Sequence, residues 1–325
     1  MSSDSHFKAG IDLGGSKIAA VVVSDDGVLA GRHKDETPHE GSFEPIATAM
    51  SNCLGEALVQ AGLSLSDIKA VGVGVPGPVD ETGSVAVMPN LDLQATPVAS
   101  ALESVLGRPV TVENDVNLAT LAEYHFGAGK GLRSLYGIVP GTGVGGGYVI
   151  DGRIVKGSNN TAGEIGHMVV MIDGPLCGCG QRGCLEAFVS KLGFIRELRQ
   201  ALMEGEQSLL VDSAEADLES VNGDDLRRAW DEEDKLVRRL LTEQARILGV
   251  AVANVINLTG VDGIVIGGGV YESLGGVLLP VVEATADQHA IGGGMQGVRL
   301  TLAELKEDAV ARGAVLVAVQ AEASP

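Results

Sequence analysis

Residues 163–186, GEIGHMVVMIDGPLCGCGQRGCLE, gather Cys177, Cys179 and Cys184 behind His167. Three thiolates and one imidazole are a complete donor set for a tetrahedral zinc ion. The C-x-C-x4-C spacing is not the commoner C-x2-C knuckle, so a disulfide stays open as a second use of these thiols. It would leave an odd thiol, and no C-x-x-C redox pair occurs. Glu164 and Glu186 flank the loop, where a glutamate is ordinarily a solvated surface acid.

A second chemical pair is Asn114-Asp115, in VENDVN. Asn or Asp ahead of a helix usually caps it. A carboxylate at the end of a strand is also placed to act as a general base on a hydroxyl group. Both uses remain open from these residues alone.

Glycine-rich turns follow apolar runs at three places. DLGGSK holds Asp12, Gly14, Gly15, Ser16 and Lys17; GTGVGGG holds Gly141, Thr142 and Gly143; IGGGV holds Gly267, Gly268 and Gly269. Glycine lets the backbone approach an anion, and consecutive N–H groups form a concavity for it. Ser16 and Thr142 could donate hydroxyls to phosphate or simply cap turns. Lys17 could pair with phosphate or be an ordinary surface lysine. Gly141, Gly143 and Gly146 spell G-x-G-x-x-G, but that fingerprint needs a helix next. Here YVIDGRIVKG follows and reads as a hairpin, so a nicotinamide dinucleotide site is set aside.

These residues need elements to position them. Alternation and turn signals predict strands over 7–13, 17–24 and 28–34, with a DDG hairpin turn at 25–27. Ile46, Met50, Leu54, Leu58 and Ala61 predict a helix over 44–61, with Cys53 as a small core residue. Strands follow at 68–80 and 109–114, then a helix at 116–127. Residues 135–157 repeat the strand, glycine turn, strand, Asp-Gly turn, strand order of 7–31, which predicts an internal duplication. Residues 190–257 read as mostly helical with an acidic interruption near 204–224. DEEDK (231–235) reads as the start of a solvated helix. A strand at 261–270 and a helix at 305–323 close the chain. Strand–helix alternation of this kind predicts an α/β layered fold.

The composition narrows the function classes. The chain has 325 residues and a formal net charge of −20, with basic residues occurring singly. A nucleic-acid backbone or an anionic membrane surface demands a basic footprint, so neither is an expected partner. No signal peptide or spanning segment is visible, which predicts a cytoplasmic protein with reduced thiols.

The three turns, in this order, resemble the phosphate-1, phosphate-2 and adenosine elements of the sugar kinase/actin/Hsp70 fold. Within it ENDVN, GEIGHM and CGCGQRGCLE together resemble the ROK family of bacterial sugar kinases and regulators, from about Gly10 to the last helix. The resemblance implies two duplicated actin-like ATPase (ribonuclease H-like) α/β domains with an interdomain active-site cleft. The first would span 1–125, joined by the C-terminal helix 305–325; the second would span 126–304. It implies Asp115 as catalytic base and Asn114, Gly77, Asn90, Glu164, His167 and Glu186 around the sugar. Asp12 and the three glycine turns would face ATP with its Mg2+. His167, Cys177, Cys179 and Cys184 would hold a structural Zn2+, with the second ring nitrogen of His167 left for the sugar.

The implied activity is ATP-dependent phosphorylation of the 6-hydroxyl of a hexose, with glucose first. N-acetylmannosamine, N-acetylglucosamine and fructose kinases are the alternatives. LDLQATPVA follows Asn90 where many glucose-type members carry a tryptophan, so the identity of the sugar stays open. A ROK-type transcriptional regulator is the reading from another class. It would carry a helix-turn-helix ahead of the first strand, whereas the first strand here is predicted from Phe7. A homodimer or higher homo-oligomer is expected.

Overall fold

The computed structural model describes residues 7–24, 27–39, 41–211 and 217–323. The chain forms two units: 1–126 with 156–162 and 307–325, and 127–155 with 163–306.

In the first unit, β1 (Phe7–Leu13), β2 (Lys17–Ser24) and β3 (Leu29–Glu36) make an antiparallel meander. The Asp25-Asp26 part of the predicted turn between β2 and β3 lies outside the described residues. Helix α1 (Phe43–Ala61) leads to β4 (Ile68–Val75), which joins β1 in parallel. A short hairpin, β5 (Val85–Met88) and β6 (Leu93–Thr96), and α2 (Val98–Leu106) precede β7 (Val110–Asn114). Strand β7 completes the sheet in the order β3-β2-β1-β4-β7, and α3 (Asp115–Phe126) begins at once from its end.

The period-2 pattern of β1 divides its side chains between two layers. Ala9, Ile11 and Leu13 are fully buried in a core with Ile46, Met50, Cys53 and Leu54 of α1. On the other face Val21 and Val23 pack with Ala311 and Val315. Those two belong to the C-terminal helix of the chain, which therefore belongs to this unit.

In the second unit β8 (Ser134–Pro140), β9 (Val144–Ile150) and β10 (Arg153–Ile154) repeat the meander. The helices α4 (Glu186–Val189), α5 (Lys191–Met203), α6 (Gly223–Asp231) and α7 (Lys235–Thr259) follow. Then β11 (Gly263–Ile266), α8 (Gly269–His289) and β12 (Arg299–Leu302) complete a sheet in the order β10-β9-β8-β11-β12. The order and strand senses match those of the first sheet, so the duplication read from the sequence is present in the topology. Helix α9 (Ala309–Ala323) ends the chain. Among the described residues no helix is long and apolar enough to cross a membrane.

The acidic run 231–235 does not begin one solvated helix. Asp231 ends α6, and Asp234, only 3% exposed, is the N-cap of α7. Its carboxylate accepts the N–H groups of Leu209, Leu236 and Val237 and the hydroxyl of Ser208. Donors at the helix end and in the preceding loop make this burial affordable for a charge.

Gly10 and Gly72 are cross-strand neighbours on the α9 face, and a Cβ on either would collide with a carbonyl oxygen of α9, Ala311 or Ala314. Gly72→Val is expected to lower the melting temperature, because overpacking a close interface costs about 1–3 kcal/mol or more. Gly55→Ala, inside α1 with open space around it, is expected to raise it, by up to about 1 kcal/mol of helix propensity. Calorimetric melts of the two variants check the contrast.

Candidate active site

In the first unit the functional residues cluster at the ends of β1, β4 and β7. Asn114 is the last residue of β7 and Asp115 the first of α3. The Asn114 side-chain oxygen accepts the N–H groups of Val116 (2.9 Å) and Asn117 (3.1 Å), so the capping duty falls on Asn114. Its amide donates to the carbonyl oxygen of Gly77 at 3.3 Å. The Asp115 carboxylate accepts the Val116 N–H at 2.8 Å. A Cβ on Gly15 would stand 2.9 Å from that of Asn90, so the first glycine turn runs against the Asn90 segment. Gly14 closes the turn by donating its N–H to the Lys17 carbonyl oxygen at 2.9 Å.

Burial raises the Asp12 carboxyl from its ordinary value of 3.8 to about 7; the charge of Asp115 adds to the shift, and Lys34 opposes it. Asp12 and Asp115 therefore act on each other across this corner of the unit. Ser16 and Lys17 are exposed, and the charge of Lys17 bears on Glu307 after those of Lys34 and Arg32.

The second unit carries the thiol cluster. One ligand atom from each of His167, Cys177, Cys179 and Cys184 lies within 4.8 Å of every other. Cys177 Sγ is 3.8 Å from His167 Nδ1, and Cys179 Sγ is 3.7 Å from Cys184 Sγ. A metal–sulfur bond of about 2.3 Å gives tetrahedral edges of about 3.8 Å, so the four residues fit one metal ion. Burial pushes the Cys177 and Cys184 thiols up, while the Gln181 backbone N–H holds the Cys179 thiol down. A cation among them would offset the cost of gathering thiolates. All the cysteines are free thiols, so the disulfide alternative is not adopted.

Glu164 and Glu186 bracket this cluster. Burial raises the Glu164 carboxyl, His167 opposes the shift and Glu186 adds to it, which places the three in one electrostatic neighbourhood. Glu186 reaches further. It accepts Val144 N–H at 3.0 Å and the Cys177 thiol at 3.3 Å, and stands over Gly143. The GTGVGGG turn and the cysteine loop are thus joined through one carboxylate. Tyr136 donates its hydroxyl to the Gly163 carbonyl oxygen at 3.0 Å, fixing the residue ahead of Glu164.

A cavity of roughly 250 Å³ opens in the same unit beside Gly141, Thr142 and Gly269. Its wall includes Ser190-Lys191, Asn222-Gly223 and Gly269-Val270, the amino ends of α5, α6 and α8. Unpaired N–H groups and aligned dipoles make such ends favourable to anions. The remainder is apolar and includes Val221, Leu226 and Tyr271. Gly268 holds a φ of 86° at the start of α8, where a Cβ would strike the Pro140 carbonyl oxygen; Gly267 donates its N–H to Ile138. Ser190, Lys191 and Asn222 escaped the sequence analysis, although Ser and Asn ahead of helices are visible signals. Helix α6 also carries Trp230, whose ring lies 5.7 Å from the Arg238 guanidinium.

The raised Asp12 carboxyl has a consequence for stability. The folded chain keeps a proton there that the unfolded chain releases near 3.8, so this stabilisation is present below 3.8 and lost as pH rises through about 7. Asp12→Asn is expected to melt higher than the parent at pH 8 without ligands. The advantage should shrink toward pH 4, as thermal melts across that range will read.

The model of the ROK family matches residues 8–321. The glucokinase of Halalkalibacterium halodurans is 33% identical over 94% of this chain and 92% of its own length. The crystal structure of a ROK glucokinase from Streptomyces griseus, with glucose and AMPPNP, superposes with a TM-score of 0.80 at 32% identity, over 97% of this chain and 99% of that one. The xylose repressor of Caldicellulosiruptor bescii is 24% identical over 95% of this chain and 77% of its own. With the family pattern matched from the first strand to the last helix, and the fold and its thiol cluster in place, the chain belongs to the ROK family.

Proposed function

We propose that this protein is an ATP-dependent glucokinase that transfers the γ-phosphoryl group to the 6-hydroxyl of glucose. The reading rests on family membership together with one observation: Asn114 caps α3 and Asp115 follows it as the first helical residue, close enough to Asp12 for its charge to act there. Asp115 accepts the proton of the sugar hydroxyl as phosphorus is attacked, and positioning with charge neutralisation supplies the rest of the catalysis. Asn114 retains one amide hydrogen beyond that given to Gly77, enough to hold a neighbouring hydroxyl. Gly77 and Asn90 line the same part of the sugar site.

Glu164, Glu186 and His167 accept and donate hydrogen bonds to the remaining hydroxyls. His167, through Nδ1, would hold Zn2+ together with Cys177, Cys179 and Cys184, which would leave Nε2 for the sugar. Zinc there would clamp the glycine-rich loop. The triphosphate sits against the glycine turns and the amino ends of α5, α6 and α8, with the base in the apolar part of the cavity. Asp12 serves the Mg2+ that accompanies ATP, which neutralises phosphate charge.

A regulator would bind sugar without turning over ATP, so phosphoryl transfer separates the two readings. In an ADP-release assay over a panel of hexoses, glucose is expected to give the highest kcat/KM. Asp115→Asn is expected to lower kcat by about 10²–10⁴-fold with glucose binding retained; normal turnover would remove Asp115 from its role. Elemental analysis is expected to find one zinc per chain, lost in Cys179→Ala together with glucose affinity. A zinc-free preparation with full affinity would contradict the clamp.

A further inference from the structure

Glu113 precedes Asn114 and Asp115, and its side chain is 6% exposed. Its Oε1 accepts the Asn114 N–H at 3.0 Å and the Asn117 side-chain amide at 3.1 Å. Its Oε2 lies 2.6 Å from Lys156 Nζ, which is half exposed and covers the carboxylate. A buried carboxylate of this kind is costly unless paired and hydrogen-bonded, and Lys156 supplies the pairing charge.

Lys156 has a second connection. It opens the segment 156–162, which packs with the first unit although the flanking residues belong to the second. Ala162 donates its N–H back to the Lys156 carbonyl oxygen at 3.1 Å, closing the segment on itself. Gly163 and Glu164 come next in the chain, with Gly163 held by Tyr136. One ammonium group thus anchors both the carboxylate behind the Asn114-Asp115 junction and the segment that leads into Glu164.

The geometry points to the Glu113–Lys156 ion pair as a positioning device for the hexose-kinase site, orienting Asp115 and the approach to Glu164 together. Neither residue touches the reacting atoms. Without Lys156 the Glu113 carboxylate has to find solvent, and in turning it releases Asn114 N–H and the Asn117 amide. The start of α3 then loses its fixed orientation. The cavity walled by the amino ends of α5, α6 and α8 shares none of these bonds, so the KM for ATP is expected to stay unchanged.

This inference rests on the glucokinase reading, and the experiment keeps the two apart. Steady-state kinetics and glucose-binding calorimetry are compared for the parent, Lys156→Met, Lys156→Arg, and Glu113→Gln combined with Lys156→Met, with thermal melts of each. Lys156→Met is expected to lower kcat about a hundredfold, the scale of a misplaced catalytic group, and to weaken glucose binding, with the KM for ATP unchanged. Lys156→Arg is expected to recover most of both. The double variant, freed of the stranded charge, is expected to regain the melting temperature but not the rate, because the tie between position 113 and the segment 156–162 is still missing.

Wild-type kcat and glucose affinity in Lys156→Met would overturn the inference, as would a double variant that regains both stability and rate. A parallel rise in the KM for ATP would count against it equally. If Lys156→Met does not fold, the double variant carries the same test. If the parent binds glucose but transfers no phosphoryl group, the kinase reading falls, and glucose affinity in the variants still decides the role of the pair. A parent that binds no hexose overturns both.

Discussion

A helix that starts directly from the end of a strand exposes its first N–H groups, and something nearby has to accept them. At the β7–α3 junction that acceptor is the carboxamide oxygen of Asn114. Three consecutive residues divide the labour. Glu113 turns inward to hold the backbone, Asn114 caps, and Asp115 is carried on the first helical position. The proposed base thus sits beside a cap that Asn114 provides, with its own carboxylate on the Val116 N–H. Asp12, in the same unit, has its carboxyl raised chiefly by burial, with the charge of Asp115 adding to the shift.

The second unit solves a different problem. Its loop after β10 is rich in glycine, and Ile165 and Leu185 tie it into the core. Order comes from shared polar partners as well: four ligand atoms drawn to one point, and a glutamate bonded to both that cluster and the Val144 N–H. The groups proposed to meet phosphate are likewise backbone N–H groups and helix ends. That suits a chain whose net charge of −20 repels a nucleotide at long range. Attraction has to be local, and three helix ends at one cavity make it so.

Much of this was legible in the sequence because it has strong local signatures. Turn glycines, alternating strands and the clustered thiols marked the duplicated sheets and the gathering of His167 with the three cysteines. Less local features were hidden. Helix α8 contains Gly275, Gly276 and Pro280, which read against a helix, yet its buried Leu274, Leu278 and Val282 hold it in place. Strand β12 is short and half-buried at a sheet edge, so alternation is weak. DEEDK read as solvated because nothing local shows that Ser208 and Leu209 would come back to meet Asp234. The capping of α3 by Asn114 rather than Asp115 depends on side-chain direction, which adjacent Asn and Asp residues do not reveal. The partner of Glu113 is distant along the chain and no periodicity points to it.

The arrangement of α6 gives the molecule a built-in optical label. Trp230 is the sole indole of the chain, and it rides on the helix whose first residues wall the cavity beside Thr142. With a guanidinium beside its ring, its emission is sensitive to small movements of α6 against α7. Its fluorescence therefore offers a readout of α6 in the second unit without any added dye.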